Sequence, residues 1–243
     1  RLQIEQDTEQ WIATNRRFLY QTGSADYCSL AYASKSEGGL LAIGHLSPGL
    51  AVVTEDGDRL WQMHPSQKNS TDGNSWLVAI DADGSNLYAV SAMASANYLV
   101  ALEPKTGTER ARRYLDSATR VAGVAALSNG AGVLVAFAEK GEFGYEVGKL
   151  ILYNANLSET IWERHFDDPE TLITALCVDE EHPIAAIALG AMGKLQTIDV
   201  LTGRVLTDDY AVKNTVYCLH LTQGRYLAVA TEAGCVDMLQ YRA

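Results

Sequence analysis

The stretch from Leu172 to Tyr210, LITALCVDEEHPIAAIALGAMGKLQTIDVLTGRVLTDDY, confines the chain to a narrow set of folds. Thr174 to Val178 is a short apolar run ended by the polar loop Asp179-Glu180-Glu181-His182-Pro183, where proline has no N–H to give to a ladder. Ile184 to Leu189 is apolar throughout, as in a strand covered on both faces. Gly190 to Gly193 forms a turn, Leu195 to Val200 alternates, Thr202-Gly203 turns again, and Arg204 to Leu206 follows. Four short strands with tight turns make one antiparallel meander.

The same unit returns along the chain. It reads CSLAYASKSEGG, LLAIG and LAVVTEDGDRLWQ, then SWLVAIDADGSNLYAVS and YLVALEPKTGTERARRYL, then VAGVAALSNGAGVLVAFA and KLILYNANLSETIWERHF. After the reference unit comes VYCLHLTQGRYLAVATEAGCVDMLQY, with only three strands. The ends of the second strands fall at Gly44, Ser91, Ala138, Ala188 and Ala230, in steps of 47, 47, 50 and 42 residues. A period in the forties with four short strands per unit predicts β-propeller blades, and no long segment carries the 3.6-residue period of a βαβ fold.

The expected fold is all-β: one β-propeller domain over residues 1–243, cut from a longer chain, with five four-stranded antiparallel blades. The blades fall at about 26–66, 74–116, 120–167, 171–212 and 215–243, the last completed by 10–22. Phe18 to Gln21 is expected to close the ring by pairing antiparallel with Val236 to Gln240, because a bare strand edge invites aggregation. Trp11 to Ala13 either adds to that blade or belongs to a sixth.

LEPKTGTER and IDVLTGRVL resemble the D-x-x-T-G turn of quinoprotein-like (PQQ-like) and YVTN-type propeller repeats, and DGDRLWQ and SETIWERH resemble the tryptophan that closes such repeats. No repeat carries both features, and the Gly-His and Trp-Asp landmarks of WD40 repeats are missing. The resemblance is therefore to WD40/quinoprotein-like propellers as a broad group. Quinone-cofactor enzymes of that group have a larger propeller and adjacent cysteines beside the cofactor; this chain has no adjacent pair, and no cofactor is expected.

A net charge of −11 argues against a nucleic-acid partner, which needs a positive face. No apolar run approaches the roughly 20 residues that span a bilayer, so no membrane partner is expected. Cys28, Cys177, Cys218 and Cys235 lack metal-ligand spacing and read as buried thiols, which suits a reducing, cytoplasmic location.

Chemistry must be sought in the loops, because the fold assigns none. Asp81-Ala-Asp83-Gly84-Ser85-Asn86 looks like a clipped calcium loop but lacks the remaining oxygen ligands, and Asp-Gly between apolar strands is a hairpin signal. His165, Asp167, Asp168 and His182 flank the reference unit and, with His220 on an inner strand, form a low-ranked polar set for a metal or general acid–base site. Tyr98, Phe143 and Tyr145 fall near loops and form a candidate interaction surface. The insertion 139–148, EKGEFGYEVG, reads as a protruding hairpin or loop. The leading expectation is a non-enzymatic scaffold that presents loops to a protein partner or to a neighbouring domain of the same chain. A hydrolase or lyase with an acidic and histidine site at the channel mouth, and a propeller that binds sugar or another small ligand, stay open.

Overall fold

The computed structural model describes residues 3–7, 10–14, 28–33, 35–36, 38–45, 49–63, 75–92, 97–141, 144–179, 181–207, 210–222 and 226–240. It is a five-bladed, all-β propeller with almost no helix. Strands β1 (Gln3–Asp7) and β2 (Gln10–Thr14) pair with each other in a separate two-stranded sheet. Trp11 to Ala13 thus lies opposite Gln6 to Ile4 rather than on the fifth blade.

Blade 1 comprises β3 (Cys28–Ala33), β4 (Leu40–His45), β5 (Leu50–Thr54) and β6 (Arg59–Met63). Blade 2 comprises β7 (Ser75–Ile80), β8 (Leu87–Ala92), β9 (Tyr98–Leu102) and β10 (Glu109–Tyr114). Blade 3 comprises β11 (Ala118–Ala126), β12 (Gly132–Lys140), β13 (Glu146–Asn154) and β14 (Thr160–Phe166). Blade 4 comprises β15 (Ile173–Val178), β16 (Ile184–Leu189), β17 (Lys194–Asp199) and β18 (Tyr210–Ala211). Blade 5 shows three strands among the described residues, β19 (Val216–Thr222), β20 (Tyr226–Thr231) and β21 (Val236–Gln240).

Two expectations need correction. Arg204 to Leu206 is not a strand: it makes a single bridge, Val205 to Ile198, and the fourth strand of blade 4 forms later, at Tyr210–Ala211. Cys218 and Cys235 are exposed rather than buried. The Phe18 to Gln21 segment expected to close the ring lies outside the described residues.

The first strands of successive blades lie beside one another, β3 by β7, β7 by β11, β11 by β15 and β15 by β19, so they are the inner strands. Strand alternation gives each blade a forward face toward the next blade and a rear face toward the one before. Leu40, Ala42, Leu50 and Val52 point forward from blade 1 onto Val78, Leu87, Ala89 and Val100 of blade 2. Tyr88, Val90, Leu99 and Ala101 leave blade 2's other face for Val133, Val135, Ile151 and Tyr153 of blade 3. Leu134, Ala136, Leu150 and Leu152 meet Ile173, Ala185, Ile187 and Ile198 of blade 4. Ala175, Ala186, Ala188 and Leu195 meet Leu219, Leu221, Leu227 and Val229 of blade 5. The second strands carry side chains into both neighbours, which explains why Leu87 to Val90 and Ala185 to Ala188 show no polar alternation: every one is fully buried.

A second contact locks alternate blade pairs. Trp61 on β6 donates its indole N–H to the carbonyl of Pro104, 2.6 Å away, in the turn between β9 and β10 of the next blade. Trp162 on β14 does the same to Val200, at 2.7 Å, in the turn that follows β17. The rings lie over Gly107 and Gly203, where an added Cβ would come within 2.7 Å and 2.9 Å of ring carbons. Both glycines have positive φ, +71° and +70°. Between blades 2 and 3 the pair is exchanged: the tryptophan position holds Ala111, and the turn position holds Leu157 at φ +60°, buried in the shared cluster. A large ring over glycine and a small alanine under leucine fill the same space. The Thr-Gly turn and the tryptophan therefore occur in different repeats because they meet across a blade boundary.

Candidate interaction face

In a four-stranded meander the loops joining second to third strands, and fourth to the next first, share one end of the propeller. The other two loop sets share the opposite end. These are the B–C end and the A–B end.

At the A–B end the Asp81 loop is a tight turn. The buried Asp81 carboxylate accepts from the Ser85 hydroxyl (2.8 Å), the Asn86 backbone N–H (2.9 Å) and the Asn86 side-chain amide (2.8 Å). Asp179 stands at the same place in blade 4, equally buried, and accepts from the backbone N–H groups of Glu181 and His182 at 2.9 and 2.8 Å. Its Oδ1 also lies 2.9 Å from His182 Nδ1. Both carboxylates satisfy loop donors that the strands cannot, which accounts for the calcium-like look of the first loop.

The polar set is divided. His165, at the end of β14, sits between Glu139 (3.3 Å) and Glu163 (3.4 Å), and Lys149 joins the same two carboxylates at 3.7 and 3.4 Å. This ladder crosses β12, β13 and β14, and it holds the Glu163 carboxyl below the usual carboxylate range, His165 contributing most. Asp167 is exposed beside it, and Asp168 caps a short 3-10 turn through the Glu170 N–H at 2.8 Å. These residues lie at the B–C end, whereas His182 belongs to the A–B end and His220 is exposed on blade 5, opposite Ala228. Among the described residues no group of three or more His, Cys, Asp or Glu side chains is placed to hold a metal ion.

The described members of the aromatic set, Tyr98 and Tyr145, lie at the same end. Tyr98, at the start of β9, is half-buried: its ring meets Trp76 edge-on at 5.8 Å and Tyr114 at 6.3 Å, with the Arg112 guanidinium 4.5 Å from its centroid. Tyr98 is thus the inner support, and Tyr114 is the exposed member of the row. The insertion 139–148 is a hairpin that prolongs β12 and β13, with Lys140 opposite Glu146 and the Gly141 N–H bonded to the Tyr145 carbonyl at 2.7 Å. Tyr145 stands exposed at its tip; Phe143 lies outside the described residues.

Four residues that the sequence alone did not single out join them at the B–C end. Tyr114, Met192, Tyr210 and Tyr217 are, like Tyr145, each more than half exposed. They come from the ends of β10 and β18, the loop after β16 and the start of β19, on blades 2, 4 and 5. Their common signal in the sequence is position: each is an aromatic or methionine in, or within two residues of, a loop at the B–C end.

No protein-family model matches the sequence, and no curated protein sequence does either. Solved structures match by shape. U3-55K aligns with a TM-score of 0.70 at 13% identity over 92% of this chain and 63% of that one. The β-propeller domain of Myceliophteria thermophila Cps50 (Swd1) aligns at 0.62 and 16% identity over 88% and 65%, and the Dos1 propeller at 0.61 and 11% over 89% and 54%. The chain thus spans less than two thirds of the length of these three proteins. These neighbours are WD40-type propellers, and they do not bear on the narrower PQQ-like or YVTN-type resemblance. At such identities the likeness establishes the fold: this chain is a β-propeller akin in shape to the WD40 type.

Proposed function

We propose that the protein is a non-enzymatic scaffold that binds a protein partner, or a neighbouring domain, through the B–C end. The observation that carries this is the set of Tyr114, Tyr145, Met192, Tyr210 and Tyr217, exposed at one end and spread over blades 2 to 5. Tyrosine is over-represented at the energetic centres of protein interfaces, where it offers large area at low conformational cost, and methionine is enriched in interfaces generally. Tyr114, Tyr210 and Tyr217 are held on strands, which limits the ordering that binding requires of them. The shape likeness to WD40-type propellers fits the same reading. Converging carboxylates and histidines would favour catalysis, and here they are split between opposite ends.

The test is affinity capture from the native source with the wild type, with a Tyr114→Ser, Tyr145→Ser, Tyr217→Ser triple variant, and with a Leu201→Ser control at the A–B end. Loss of the specific partner in the triple variant alone, at an unchanged melting temperature, is the expected result. A partner retained by the triple variant and lost from the control would refute the assignment.

A further inference from the structure

Blade 5 presents a forward face that no other blade covers among the described residues. Its composition and register match the forward face of blade 4. On blade 4, Ala175 and Leu195 flank Ala188, and Cys177 and Thr197 flank Ala186. On blade 5, Cys218 and Val236 flank Ala230, and His220 and Met238 flank Ala228. The alanine pair on the second strand is the same in both. On blade 4 these positions are closed by Leu219, Leu221, Leu227 and Val229 of the following blade, and Leu195 is 5% exposed. On blade 5 the equivalent Val236 and Met238 are 68% and 64% exposed, and Cys218 and His220 are exposed beside them. Sheet faces of this kind are built to be covered.

We propose that the forward face of blade 5 is an inter-blade interface whose occupant is a further antiparallel β-blade with an aliphatic rear face like that of blade 5 itself. The argument is continuity. Four successive boundaries in this chain are closed by apolar rear-face side chains seated on the apolar forward face of the blade before, and at the blade 4–5 boundary that face is the small pair Ala186 and Ala188. The fifth forward face repeats the alanine pair of blade 4 at the same register. Ala228 and Ala230 leave room for the leucines and valines of an incoming blade, as Ala186 and Ala188 do for Leu227 and Val229.

Thiol labelling tests this, because Cys218 lies exposed on the inner strand of the face whereas the half-buried Cys177 packs into the blade 4–5 boundary, where burial pushes its thiol up to about 12. In residues 1–243 alone, iodoacetamide should label Cys218 and leave Cys177 unmodified, and Val236→Glu with Met238→Glu should leave the melting temperature unchanged. Leu195→Glu, at the matching position of blade 4, should lower it sharply. A second copy of residues 212–243, with its own Cys218→Ser change, is then joined after Ala243. That appended blade should slow labelling of the original Cys218 about tenfold or more and raise the melting temperature. Three results would each overturn the proposal: Cys218 already protected in residues 1–243, an appended blade that leaves its labelling unchanged, or protection that appears only with rising protein concentration and vanishes with Met238→Glu. The last would make a second copy of the chain the occupant.

Discussion

Changing Gly107 to alanine isolates the contact that joins blade 1 to blade 2. Two separate costs arise. A Cβ at φ +71° is disfavoured by roughly 1–2 kcal/mol whatever surrounds it. The same Cβ would stand 2.7 Å from Cδ2 and 2.9 Å from Cε3 of Trp61, so the indole must move and its 2.6 Å bond to the Pro104 carbonyl must stretch. Overpacking of this kind costs about 1–3 kcal/mol. The expected total for Gly107→Ala is about 2–5 kcal/mol. Trp61→Ala alone should cost about 2–4 kcal/mol, at the low end of the range for large-to-small changes because the ring is only partly buried. In the double variant the ring is gone, so only the backbone cost of the alanine remains. The two changes should therefore fall short of additivity by about 1–3 kcal/mol, well outside the few tenths expected of independent sites. Urea unfolding of the four proteins measures it. Additivity within about 0.5 kcal/mol would show that ring and glycine do not constrain each other, and the account of the alternating motif would fail.

Ala111→Trp should be strongly destabilising, because Leu157 fills the space that the ring needs, and adding Leu157→Gly should recover most of the loss; equal melting temperatures for the single and double variants would refute this. Ala186→Asp places a charge where exposure is zero and should cost about 4 kcal/mol or more, read from urea midpoints. The phenols of Tyr88 and Tyr153, buried at the blade 2–3 boundary, are both raised above their ordinary value of 10.0, chiefly by burial. They stabilise the fold fully below pH 10.0, and that contribution fades as pH rises toward their folded-state values; Tyr88→Phe should reduce the alkaline loss seen in melting curves. Glu163 is lowered, chiefly by His165, so its contribution is present above its ordinary value of 4.5 and is lost as pH falls below it; Glu163→Gln should make acid unfolding less steep.

How far the sequence revealed this protein depended on whether a signal was local. The second strands were legible because burial on both faces leaves unbroken apolar runs, Leu87 to Val90 and Ala185 to Ala188, that nothing else in a β protein produces. The turns were legible from Asp-Gly and Thr-Gly. The fourth strand of blade 4 was not, because Arg204-Val205-Leu206 has strand propensity yet holds β17 only through one isolated bridge and its flanking bonds, and the paired strand forms at Tyr210 and Ala211. The proposed interaction face was half legible. Tyr98 and Tyr145 were visible as aromatics beside loops, but which tyrosine stands outward depends on a cross-strand neighbour: Tyr98 and Tyr114 are paired, and the inner one is held by Trp76 and Arg112. Tyr210 and Tyr217 join the face only because the meander brings a fourth-strand end and a first-strand start to the same side. The tryptophan and Thr-Gly motifs show the same limit from the other direction. Within single repeats the two features never occur together. Across the boundary they are complementary: Trp61 needs Gly107, Trp162 needs Gly203, and where alanine replaces the ring at position 111, Leu157 takes up the space despite its left-handed backbone. In a ring of meanders the unit of packing is the boundary between two blades, so a motif read blade by blade is cut through its middle.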